Sequence, residues 1–86
     1  MIDFLEVCDR HNILIVAEEL GTICGFYSYM FGQPAIHINV NLPKNEQKIA
    51  IRYLLIHGFL INPNEMKFLR CEQLEHYANA ENPLCI

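Results

Sequence analysis

Thr22-Ile23-Cys24-Gly25-Phe26-Tyr27-Ser28-Tyr29-Met30-Phe31-Gly32-Gln33-Pro34-Ala35-Ile36-His37-Ile38-Asn39-Val40 is the stretch on which the fold turns. Its first half, Thr22–Phe31, is aromatic and β-branched, and such residues suit a pleated strand. Gly32-Gln33-Pro34 then breaks the run. From Ala35 to Val40 apolar and polar residues alternate strictly, which is the period of a half-buried strand. Ile36, Ile38 and Val40 share one face, and His37 and Asn39 share the other. Two adjacent strands around a Gly-containing break read as a hairpin.

Working towards the N-terminus, Glu18-Glu19-Leu20-Gly21 is a polar turn, and Ile13-Leu14-Ile15-Val16-Ala17 reads as a buried strand. Apolar residues at 2, 4, 5, 7 and 8 have a helical period and predict a first helix over Ile2–His11. Asp3 and Glu6 fall in its first turn, where the helix dipole favours acids, and Asn12 suits its C-terminal stop.

Towards the C-terminus, Asn41 is the expected cap of a second helix, with Pro43 in its first turn. That helix runs to about His57 and stops at Gly58 or soon after. Its second half is apolar nearly all round, so it is expected to be the central buried helix. Lys44, Lys48 and Arg52 recur every four residues on one face, which reads as a solvated face. A last helix is expected from Glu65 to Ala80, in one piece or two, with Met66, Leu69, Leu74, Tyr77 and Ala78 as packing residues and Pro83 as terminator. The predicted class is therefore α+β: an N-terminal helix, a small three-stranded sheet with a hairpin, then two or three helices.

The chain has 86 residues, 52% of them hydrophobic and 19% charged. That composition excludes a disordered chain, and the length suits one domain. The longest apolar run, Ile13–Ala17, is too short to span a bilayer. The N-terminus has no positive region followed by a long apolar stretch, so no signal peptide is read there and a cytoplasmic location is expected. Ten acids face six bases, a balance that speaks against direct nucleic-acid binding. Cys8, Cys24, Cys71 and Cys85 form no C-x-x-C pair, and in this setting they are expected as free, largely buried thiols, with Cys85 exposed and oxidisable.

Few polar residues suggest chemistry. His57 ends an apolar helical half, and Glu72, Glu75 and His76 lie about one helix later. These are ligand types that zinc uses, although a catalytic zinc normally takes three protein ligands and a water. The plain reading of His57 is a histidine held at a helix C-terminus by the dipole.

Several strings, taken in order, resemble the ImmA/IrrE family, zinc-metallopeptidase-like proteins of mobile elements and stress regulons. The family tends to show a Gly-aromatic strand, an I-x-I-N strand, an H-E-x-x-H helix and an E-x-x-A-N segment. Here the matching strings are Gly25-Phe26-Tyr27, Ile36-His37-Ile38-Asn39, Asn41-Leu42-Pro43 with Glu46-Gln47, and Glu75-His76-Tyr77-Ala78-Asn79. The resemblance implies a single minimal zincin-like domain over residues 1–86, without the C-terminal part of longer members. It lays the H-E-x-x-H helix onto Tyr53-Leu54-Leu55-Ile56-His57. The first histidine then falls on Tyr53, the general-base glutamate on Leu54, the second histidine on His57, and the third ligand on Glu75. Tyrosine ionises only near pH 10, so it is a poor zinc ligand at neutral pH. Leucine cannot activate water, and a general base is commonly worth about 10²–10⁴-fold. The resemblance thus implies a vestigial metal site of Tyr53, His57 and Glu75, with His76 and Cys71 as assistants, and no catalytic residues.

Three functional expectations follow. The first is a non-catalytic interaction protein of a phage or mobile element that binds a protein partner, such as a DNA-binding repressor, stoichiometrically as an antirepressor. Glu18, Glu19, Glu65, Glu72 and Glu81 are its candidate contacts, since an acidic surface steers a basic partner. The second is a small zinc protein, or a residual metallopeptidase, using His57 and Glu75. The third is a homodimer through an edge strand, with Phe26, Tyr27, Tyr29 and Phe31 at the edge.

Overall fold

The computed structural model describes residues 3–81, with side chains as far as His76. The fold is α+β. Helix α1 (Phe4–Arg10) leads into strand β1 (Leu14–Glu18), then β2 (Ile23–Met30) and β3 (Gln33–Asn39). Helix α2 (Lys44–Leu54) passes without a break into a π-helical turn (Leu55–Leu60), and β4 (Lys67–Arg70) and α3 (Cys71–Glu81) close the chain.

The hairpin is the centre of the sheet. Met30 pairs with Gln33, so β2 and β3 are joined by the two residues Phe31 and Gly32. Both have positive φ, +53° and +76°. That is the backbone a type I′ turn requires, and it matches the twist of the flanking strands. The strand therefore resumes at Gln33, two residues before the alternation becomes readable. Pro34 is tolerated because β1 begins pairing only at Ala35, so no ladder bond is asked of its nitrogen. Val40 falls beyond β3 and is exposed rather than sharing the buried face.

The sheet has four strands in the order β1-β3-β2-β4, with β1 parallel to β3 and the other pairs antiparallel. The fourth strand corrects the expected helix from Glu65. Lys67–Arg70 pairs with β2, and Leu69 is fully buried opposite Gly25 while Met66, expected to pack, is exposed. Pairing with a free strand edge has overridden weak helical propensity over four residues. Helix α3 starts only at Cys71, where the Gln73 side chain accepts from the Arg70 N–H at 2.9 Å in the manner of a capping box. The β1 segment is likewise an edge strand, with Leu14 and Ile15 exposed, instead of the buried strand expected.

Helix α1 is framed by its own sequence. Asp3 is its N-cap, accepting from the N–H groups of Leu5 and Glu6 at 3.0 and 3.3 Å. Asn12 follows the helix in the left-handed region, φ +56°. The Asn12 N–H donates to Asp9 and the Ile13 N–H to Cys8, the paired bonds of a Schellman end. Helix α2 begins differently from expectation. Its N-cap is Pro43, with no side-chain cap, and the Asn41 N–H donates to Asn39 Oδ1. A residue before proline is pushed out of the helical region, which leaves Asn41 too far upstream to cap.

All the helices pack on one face of the sheet. Ile36, Ile38 and Tyr27 meet Ala50, Ile51, Leu54 and Leu55 there, with Cys8, Ile13, Leu69 and Leu74 completing the core. This bears out α2 as the central buried helix. Tyr27 is fully buried, its hydroxyl donates to the Pro63 carbonyl at 2.8 Å, and burial raises its pKa, with Tyr29 adding to the shift. Among the described residues no helix is long and apolar enough to cross a membrane. Ile2, Pro83 and Cys85 lie outside the described residues, as do the side chains of Tyr77, Ala78 and Glu81.

Candidate functional site

Tyr53 and Leu54 end α2, and His57 follows in the continuous π-helical turn. Tyr53 and His57, four apart, meet on one face with ring centroids 4.5 Å apart and planes tilted by 32°. Lys67 on β4 lies over the Tyr53 ring, its Nζ 5.9 Å from the centroid. His57 sits in the last turn of the π-helical segment, three residues before its end, so it stands near a helix C-terminus as expected. Leu54 points the other way and is 0% exposed, in the centre of the core. The position that the resemblance gives to a general base is thus a core position.

Glu75 and His76 are exposed on α3. Among the described residues no group of three or more His, Cys, Asp or Glu is placed to hold a metal ion. Cys71 lies beside Cys24, with the two sulfurs 3.0 Å apart. The acids stand separately. Glu19, Glu65 and Glu72 are exposed, Glu65 accepts from Asn62 at 2.9 Å, and Glu18 lies 3.5 Å from His37 Nδ1.

The sheet face away from the helices carries a second cluster. Phe26 and His37 are cross-strand partners whose rings stack at 4.1 Å, only 6° from parallel. Phe68 tilts against Phe26 at 5.6 Å, and Ser28 Oγ lies 3.2 Å from His37 Nε2. Among the described residues His37 Nδ1 is buried without a hydrogen-bond partner, and Glu18 Oε1 stands 3.5 Å from it at ion-pair distance. Asn39 on the same strand is fully engaged, donating to the Gly21 and Ile23 carbonyls and so fixing the β1–β2 loop.

The feature that sequence reasoning missed is the hairpin tip. Tyr29, Met30 and Phe31 are 40%, 61% and 99% exposed. Aromatic residues in a strand read as core, and nothing in the local sequence marks this end as projecting. Core packing is the first expectation for the cluster Phe26, Tyr27, Tyr29 and Phe31, and it holds for Tyr27, which is fully buried. The alternative expectation, an edge strand, does not fit the strand order: β2 runs between β3 and β4, and the edges are β1 and β4.

Scans against family models, curated proteins and solved structures found no match for this chain.

Proposed function

We propose that this chain is a non-catalytic protein-interaction module that regulates its partner by stoichiometric binding, with the β2–β3 hairpin tip as its principal contact. One observation carries the reading. Phe31, 99% exposed, occupies a left-handed position that type I′ turns reserve for Asn, Asp or Gly. A left-handed conformation costs a non-glycine residue about 1–2 kcal/mol, and the ring recovers nothing from the core. Strain of this kind is retained where a function needs the side chain. Met30 beside it extends the apolar surface, and aromatic and Met side chains are the ones that anchor interfaces.

The ImmA/IrrE resemblance supplies the setting: a degenerate metallopeptidase-like protein of a phage or mobile element, acting on a repressor as an antirepressor. Burial of Leu54 supports the non-catalytic part of the reading. The exposed acids Glu19, Glu65 and Glu72 fit a basic partner such as a DNA-binding domain.

The test is capture from host lysate with tagged wild type and Phe31→Asn side by side, with zinc measured in both. The expected result is a partner retained at 1:1 by the wild type, retained at least 10-fold less by Phe31→Asn, with no stoichiometric zinc. Equal retention by the two proteins, or no retained partner, overturns the proposal.

A further inference from the structure

Cys24 and Cys71 come from opposite ends of the chain yet share one spot. The β2–β4 ladder explains how. Ile23 pairs with Arg70 and Gly25 with Leu69, so Cys24 is the extra residue of a β-bulge. A bulge re-aims its side chain, and Cys24 is turned into the interior, 0% exposed. Cys71 is the first residue of α3, immediately after β4 ends at Arg70. The strand pairing that sets Ile23 against Arg70 therefore also sets the two thiols together.

The contact is close. The Cys24 thiol donates to Cys71 Sγ at 3.0 Å, and the Cys71 thiol donates to the Thr22 carbonyl at 3.2 Å. A disulfide bond is about 2.05 Å, so bonding needs roughly 1 Å of further approach. Cys71 is exposed and opens onto a shallow cleft of about 640 Å³ lined by Thr22, Ile23, Arg70, Cys71 and Glu72. One thiol is thus accessible from solution, while the other is shielded behind it. Cys8, also buried, is not part of this contact.

We infer that Cys24 and Cys71 form a peroxide-oxidised dithiol site, in which Cys71 is the thiol that attacks the peroxide and Cys24 the resolving one. The chemistry balances with a hydroperoxide as the two-electron oxidant. The Cys71 thiol gives up its proton, its sulfur attacks the peroxide O–O bond to give a sulfenic acid, and the leaving hydroxide or alkoxide takes that proton to depart as water or an alcohol. The Cys24 sulfur then attacks Cys71 Sγ, the S–OH bond breaks, and a second water leaves with the Cys24 proton. Both sulfurs are oxidised and the peroxide is reduced. Burial and the hydrogen bond to Cys71 hold the Cys24 pKa at about 12, so Cys24 stays a thiol until the neighbouring sulfur is activated. The product ties the start of α3 to the bulge in β2 and closes a 47-residue separation. A cross-link over such a span restricts the unfolded chain strongly. This site is independent of the hairpin tip and of any partner.

The experiment treats the folded, reduced full-length protein with hydrogen peroxide and counts thiols by alkylation under denaturing conditions and intact mass. The expected result is loss of two of the four thiols, a mass decrease of about 2 Da, a Cys24–Cys71 cross-linked peptide, and a melting temperature raised by about 10 °C or more. Dithiothreitol reverses all four changes. Cys71→Ser, altered at an exposed position, keeps its remaining thiols under the same dose. Full retention of thiols by the wild type, a cross-link preferring Cys8 or Cys85, or irreversible oxidation of Cys71 with Cys24 still free overturns the assignment.

Discussion

Gly58 lies so close to Tyr27 that a Cβ on the glycine would stand 2.8 Å from both Cβ and Cγ of the tyrosine. The π-helical turn brings its backbone down directly onto a fully buried aromatic side chain. Gly58→Ala is therefore expected to destabilise by about 1–3 kcal/mol, the cost of overpacking a filled core. Urea unfolding reads this, and a loss under 0.5 kcal/mol would show that the turn relaxes freely.

The hairpin tip gives the opposite sign. Phe31→Asn places a turn-favoured residue before Gly32 at a position where the phenyl ring packs on nothing. It is expected to stabilise by about 1 kcal/mol. Seen together with weakened partner capture, a higher melting temperature separates a functional role for Phe31 from a structural one.

Leu54 decides whether the metallopeptidase-like pattern can be rebuilt. Leu54→Ala is expected to cost about 2–5 kcal/mol, as for other fully buried leucines. Tyr53→His combined with Leu54→Glu recreates H-E-x-x-H on paper and buries an unpaired carboxylate in practice. The double variant is expected to lose about 4 kcal/mol or more, and to unfold at lower urea than Leu54→Ala. A folded, zinc-loaded, active double variant would refute this.

At the N-terminus, Asp3→Ala removes the acceptor for the Leu5 and Glu6 N–H groups. The expected loss is about 1 kcal/mol. Arg10→Ala removes only the exposed i,i+4 pair with Glu6 at 2.8 Å, and is expected to cost at most about 0.5 kcal/mol. Hydrogen exchange of the first turn of α1 distinguishes the two.

Alkaline stability follows from Cys24. Its folded pKa of about 12 lies above the ordinary thiol value of 9.0, because burial and then the bond to Cys71 disfavour the thiolate. Below pH 9 folding keeps the full benefit. As pH rises from 9 towards 12 the unfolded chain gives up its proton first, and stability falls, by at most about 1.4 kcal/mol per pH unit for this group. Burial raises the Cys8 pKa too, and Tyr27 adds the same sign at higher pH. Under reducing conditions, Cys24→Ala should flatten the decline between pH 9 and 10. An unchanged slope would assign the decline to the other groups.

The hairpin, α1 and the buried half of α2 were legible because each carries its own signal: alternation around a glycine, an apolar helical period closed by Asn12, and an apolar surround. Only the start of α1 differs, since Asp3, expected inside its first turn, is its N-cap. Their placement needed no knowledge of the rest. β4 was not legible, since Lys67–Arg70 owes its conformation to the edge of β2, forty or more residues upstream. The π-helical turn has no local signature, and its tight approach of Gly58 to Tyr27 is a long-range contact that the local sequence does not show. At the candidate site, the Tyr53–His57 contact could be read from a spacing of four. The exposure of Phe31 could not, because a projecting aromatic and a core aromatic look alike in a strand. Nor could the meeting of Cys24 and Cys71, which depends on one inserted residue in a ladder.

The strand order β1-β3-β2-β4 also sets a timetable. During synthesis β1 emerges first, and its only partner in the sheet is β3, which is made after β2. β2 and β3 are separated by two residues and pair as soon as both exist, at the lowest loop-closure cost in the chain. β1 is then expected to dock on one side of this pair and β4, the last strand made, on the other. On this order the sheet is expected to grow outward from a single turn, and Phe31, 99% exposed, sits at the point where that growth begins.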